Sequence, residues 1–164
     1  MSNFPKFPSD TDILHSVTTV LESLESVAKV DAQSPQQATA PRVLLFGYPR
    51  SFKKWDLRWL QRTNFELTLL ESADNALQHI ETMNPDAIIV EARMRGNDGS
   101  ILYEEILQSG RVEAPVFVLT SSPVETKSAM DNGAFDIIRK PFDWRLINRR
   151  IKNAVDALHR EIDL

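Results

Sequence analysis

The sequence predicts an α/β fold, a doubly wound parallel sheet of five strands preceded by a tethered amphipathic helix. Three observations carry this expectation. Val43–Phe46, Ala87–Val90 and Val116–Leu119 are short, uninterrupted apolar runs. They are too short for a helix with one buried stripe and suit strands covered on both faces. Strand-like and helix-like segments alternate from Arg42 to Leu158, the pattern of parallel strands joined by crossover helices. Finally, Asp31–Pro41 is small, polar and proline-containing with no apolar period. It separates the alternating region from what precedes it, as a linker would.

Taken in order, Met1–Ser9 is a loose lead-in with two prolines. Ile13, Val17, Val20, Leu24 and Val27 then recur at spacings of four and three, the apolar stripe of a helix that completes a segment 1–30. Such a helix is marginal alone, so it needs a partner: the rest of the chain or a second copy. After the linker 31–41, a domain spans 42–164. Its strands are Val43–Phe46, a segment with Phe65, Leu67, Leu69 and Leu70, then Ala87–Val90, Val116–Leu119 and Phe135–Ile138. Its helices are Ser51–Arg62 with Trp55 and Trp59, Ser72–Met83, Ser100–Gln108, a short one over Glu125–Asn132, and a last one from Asp143.

Composition narrows the function. The chain has 164 residues, 42% of them hydrophobic, enough for one sizeable core. A net charge of −4 gives no general attraction for nucleic acid or anionic lipid. The absence of cysteine excludes disulfides and thiolate chemistry, and three scattered histidines make no metal cluster. No run is long enough to cross a bilayer and the first residues lack signal-peptide blocks, so a cytoplasmic protein is expected.

The organising stretch is Pro85–Gly99. The apolar run ends at a carboxylate, Glu91, and the chain then turns through Gly96 and Gly99. Ligands and chemistry in open α/β sheets collect at the carboxyl ends of the strands. Four motifs occur in order: Glu91-Ala-Arg-Met-Arg-Gly-Asn-Asp-Gly99, Val118-Leu-Thr-Ser121, Gly133-Ala134 and Lys140-Pro-Phe142. Together they resemble the receiver domain of bacterial two-component response regulators over roughly Arg42–Leu158. The resemblance implies a flavodoxin-like (CheY-like) sheet of order 2-1-3-4-5. It places Glu91 at the phosphoacceptor position, Thr120 at the hydroxyl that orients the phosphoryl group, and Lys140 at the invariant-type lysine. The two acids that hold Mg²⁺ in the family fall on Gly47 and Tyr48, and the aromatic that swings on activation falls on Ile137.

Phosphoryl transfer is mostly positioning and charge neutralisation around Mg²⁺, and Mg²⁺ needs hard oxygen ligands. Gly47 offers none and Tyr48 only a phenol. Glutamate also carries its carboxylate one methylene further out than aspartate, and displacement on that scale costs about a hundredfold in rate. Phosphorylation at residue 91 is therefore not expected. Two readings of Glu91 stay open: a permanent ion pair with Lys140, or a vestige facing solvent at a strand end.

Elsewhere, Trp55 and Trp59 are one helical turn apart and fit either a binding hot spot or packing on the sheet. Arg42, Arg93, Arg95 and Arg139 suggest positive charge on the strand-end face. His15 lies in no phosphoacceptor motif. The expected function is that of a phosphorylation-independent pseudo-receiver, not an enzyme and without cofactor or metal. It would regulate bacterial signalling by protein–protein contact, with the helix containing Ile13 as a candidate homodimer seam. No output domain is expected after Leu164, so output would travel by contact. The alternatives are a genuine phosphoacceptor using an atypical site, and a flavodoxin-like cofactor binder. The last is disfavoured because Gly47–Ser51 lacks a phosphate cradle.

Overall fold

The structure is a computed structural model that describes residues 39–51, 62 and 64–162. The helix expected around Ile13, Val17, Val20, Leu24 and Val27, and the helix carrying Trp55 and Trp59, lie outside the described residues. From Ala40 onward the chain forms one compact unit.

Five parallel strands make one sheet of order β2-β1-β3-β4-β5. They are β1 Arg42–Phe46, β2 Glu66–Leu70, β3 Ala87–Glu91, β4 Val116–Thr120 and β5 Asp136–Arg139. The described helices are α1 Ala76–Met83, α2 Leu102–Gln108, α3 Pro123–Asp131 and α4 Trp144–Ile162. Every residue of β3 and β4 is buried, as their unbroken apolar runs require of strands with covers on both faces.

Alternation along the strands sorts the core into two layers. Leu45, Ile89, Phe117 and Leu119 point to one face, where Trp144, Ile147, Ile151, Ala154 and Val155 of α4 cover them. Leu44, Phe46, Ile88, Val90 and Val118 point to the other face, under Ile80 of α1, Leu102 and Ile106 of α2, and Ala129 of α3. The three-and-four spacing in α4 is thus the seam of one layer.

Several expected boundaries move: the helix expected from Ser100 begins at Leu102, and the one expected over Glu125–Asn132 runs Pro123–Asp131. The helix expected from Ser72 begins at Ala76, because Asn75 is left-handed (φ 53°) and the Ser72 hydroxyl accepts from the Asp74 N–H at 3.0 Å, closing a turn instead. The fifth strand is offset by one residue, and Phe135 stays 56% exposed with its ring tilted against Phe117 at 5.5 Å.

Candidate functional site

In the strand order, β2 lies on one side of β1 and β3 on the other, so the direction of the chain reverses at β1. The crevice at the carboxyl ends of β1 and β3 is where open α/β sheets place ligands. Glu91 is the last residue of β3 and only 3% exposed. A buried carboxylate must be paired and hydrogen-bonded, and both of its oxygens are. Lys140, just past β5, donates its ammonium to Oε1 at 2.6 Å. The Tyr48 main-chain N–H, just past β1, donates to Oε2 at 3.1 Å. The Lys140 side chain is 25% exposed, against 4% for Glu91, so the pair sits in a half-closed crevice. Glu91 thus does not face solvent at the strand end: its carboxylate meets Lys140 and the Tyr48 N–H.

Thr120 ends β4 and is fully buried. Its hydroxyl lies 2.9 Å from that of Thr126, which itself donates to the Ser122 carbonyl at 3.0 Å. A hydroxyl has one proton, so Thr120 donates into the first turn of α3. Ile137 is partly buried against the core layer that contains Val118. Its N–H donates to the Asp136 carboxylate at 2.8 Å and its carbonyl accepts from Arg150 at 3.1 Å. Its aliphatic side chain offers no ring to swing.

A second carboxylate spans two loops. Glu125 in the first turn of α3 accepts from the Arg93 guanidinium (Nε) at 2.6 Å and from the Ser121 N–H at 2.6 Å. Its own N–H donates to the Ser122 hydroxyl, which caps the helix at 3.2 Å. Burial opposes ionisation of Glu125, but the bonds from Arg93 and Ser121 outweigh it and hold the carboxyl below its ordinary value of 4.5. A lowered folded-state value means that the contribution is complete above about pH 4.5 and is lost as pH falls through the folded-state value. Urea midpoints measured from pH 7 to pH 3 should therefore converge for the wild type and Glu125→Gln at the acid end. A gap between them that persists unchanged to pH 3 would contradict this.

Of the four arginines expected at the strand-end face, Arg139 ends β5 there and is exposed, whereas Arg42 lies elsewhere. Arg42 starts β1 at the opposite edge, where its N–H donates to Asp86 at 2.7 Å. Arg93 is paired with Glu125, and Arg95 donates to the Gly99 carbonyl at 3.1 Å. Sequence reasoning missed Tyr48 as a main-chain donor and the Arg93–Glu125–Ser121 contact. Only Ser122-x-x-Glu125 carried a signal, the spacing of a helix-capping pair.

The residues present do not fit Mg²⁺. Gly47 has no side chain, Tyr48 reaches Glu91 through its backbone, and both Glu91 oxygens are engaged. Among the described residues no group of three or more His, Asp or Glu converges.

The response regulator receiver domain model matches residues 56–152. The chain belongs to this family. Among curated relatives, the DNA-binding transcriptional regulator NtrC of Klebsiella pneumoniae is 36% identical over 93 residues, covering 55% of this chain and 20% of that protein. The transcriptional regulatory protein BaeR of Escherichia coli O6:H1 is 23% identical over 118 residues, covering 72% and 49%. The chain thus spans between a fifth and a half of the length of these two relatives. A response regulator from Desulfuromonas acetoxidans superposes with a TM-score of 0.62 at 23% identity, covering 71% of this chain and 98% of that one. The receiver domain of sensor histidine kinase PA1611 from Pseudomonas aeruginosa, solved with magnesium in its active-site cleft, gives 0.56 at 17% identity, covering 72% and 99%. These likenesses establish the receiver fold. No helix among the described residues is long and apolar enough to cross a membrane.

Proposed function

We propose that this receiver works without phosphorylation, as a regulatory docking module whose site is held in one state by an internal ion pair. The supporting observation is the occupancy of Glu91: a buried carboxylate with Lys140 on one oxygen and the Tyr48 N–H on the other. A nucleophilic carboxylate needs an oxygen free to approach phosphorus in line, and a metal to neutralise the incoming charge. Glu91 has neither. The lysine that would meet a phosphoryl group already meets a carboxylate. Ile137 at the switch-aromatic position agrees with a domain that has stopped switching by that route. Its output is contact with a signalling or regulatory protein in the cell interior, with no reaction catalysed and no cofactor bound.

The discriminating experiment is incubation of the full chain with acetyl phosphate and Mg²⁺, followed by intact mass. The expected spectrum is that of the unmodified chain. A stoichiometric gain of one phosphoryl group would establish the alternative, a genuine phosphoacceptor with an atypical site.

A further inference from the structure

Of the nine residues of α3, only Ala129 is buried. One small apolar side chain holds a helix weakly on a sheet, so the position of α3 depends on its polar contacts. On one side these tie it to α2, through Tyr103 Oη and Ser128 Oγ at 2.9 Å and from Asn132 to Glu104 at 3.3 Å. At its N-terminus most contacts stay within the β4–α3 turn: Thr120 with Thr126, Thr126 with the Ser122 carbonyl, and Ser122 with the Glu125 N–H. The Arg93–Glu125 bond is the one side-chain hydrogen bond, among the described residues, that leaves this turn for the loop after β3.

We propose that Arg93, Glu125 and the Ser121 N–H form a latch joining the loop after β3 to the first turn of α3, and that its release frees that turn. The proposal rests on the reading that residue 91 does not itself switch, and it locates a releasable contact two residues further on. Glu125 suits the task because its two oxygens face different elements. Oε2 holds the turn through Ser121, while Oε1 holds the neighbouring loop through Arg93. The Glu125 side chain is 17% exposed and that of Arg93 73%. The carboxylate is therefore sheltered, while the guanidinium stays within reach of a competing anion and of salt.

Hydrogen–deuterium exchange on the full chain tests this, with wild type, Arg93→Ala, Glu125→Gln and the double variant compared. Arg93→Ala should speed exchange of amides 121–126 by about two- to fivefold, the scale set by partly exposed ion pairs. Glu125→Gln should speed it at least as much, since it also weakens the hold on Ser121. The double variant should exchange no faster than Glu125→Gln alone, as expected for partners in one contact. Amides 151–158 of α4 should be unchanged in all four chains, showing the fold intact. Wild-type rates in Arg93→Ala would leave Glu125 a helix cap only and overturn the latch, as would effects that simply multiply in the double variant. Phosphoryl gain at residue 91 would defeat the earlier reading without moving these rates, so the two failures are distinguishable.

Discussion

Replacing Lys140 with methionine is expected to destabilise the domain by about 3 kcal/mol, the lower end of the cost of breaking a buried ion pair. The Glu91 side chain is 4% exposed and would keep only the Tyr48 N–H. An unpaired carboxylate in that position cannot recover its lost solvation. The lower end applies because Lys140 is 25% exposed, so water already screens part of the attraction. For a domain of this size that is a fall in Tm of about 10 °C. Urea unfolding followed by circular dichroism would measure the change. Adding Glu91→Leu to Lys140→Met should restore most of the loss, because an apolar pair of similar volume carries no desolvation penalty. A cost below about 1 kcal/mol for Lys140→Met alone would mark the pair as an ordinary surface contact, and the internal lock would lose its basis.

Restoring the missing acids is expected to restore phosphate chemistry. The variant Gly47→Asp/Tyr48→Asp/Glu91→Asp returns two metal-binding carboxylates to the end of β1 and shortens the nucleophile by one methylene. Tyr48 contributes only its main-chain N–H to the Glu91 site, and that donor survives substitution. With acetyl phosphate and Mg²⁺ this chain should gain one phosphoryl group by intact mass, and a chelator should abolish the gain. Glu91→Asp alone should gain none, since a correctly placed nucleophile still lacks the metal that neutralises the phosphate. A folded triple variant that stays unmodified would show that something other than the acids silences the site.

Much of this molecule was legible residue by residue. The apolar runs at Val43–Phe46, Ala87–Val90 and Val116–Leu119 announce strands because burial on both faces leaves no position for a polar side chain. The spacing of Ile147, Ile151, Ala154 and Val155 announces the helix that covers them. Boundaries were less legible: the helix expected from Ser72 starts at Ala76, because the Ser72 hydroxyl serves a local turn and the left-handed Asn75 delays the helix. Either conformation satisfies the same hydroxyl, so residue type alone does not choose between them.

The sequence by itself determined the strands, the alternating α/β class and Glu91 at a strand end, because apolar runs and periodicity are local properties of the chain, while the resemblance to receiver domains pointed to Thr120 and Lys140. Only the tertiary structure decided that Glu91 is buried against Lys140, 49 residues away, and that Arg93 meets Glu125 across 32 residues. It alone brought in the Tyr48 N–H, a donor every residue but proline possesses and no residue type reveals. The reason is geometric: which loops touch is set by strand order and register, and a carboxylate at the end of β3 acquires its partners only once β1 and β5 are in place.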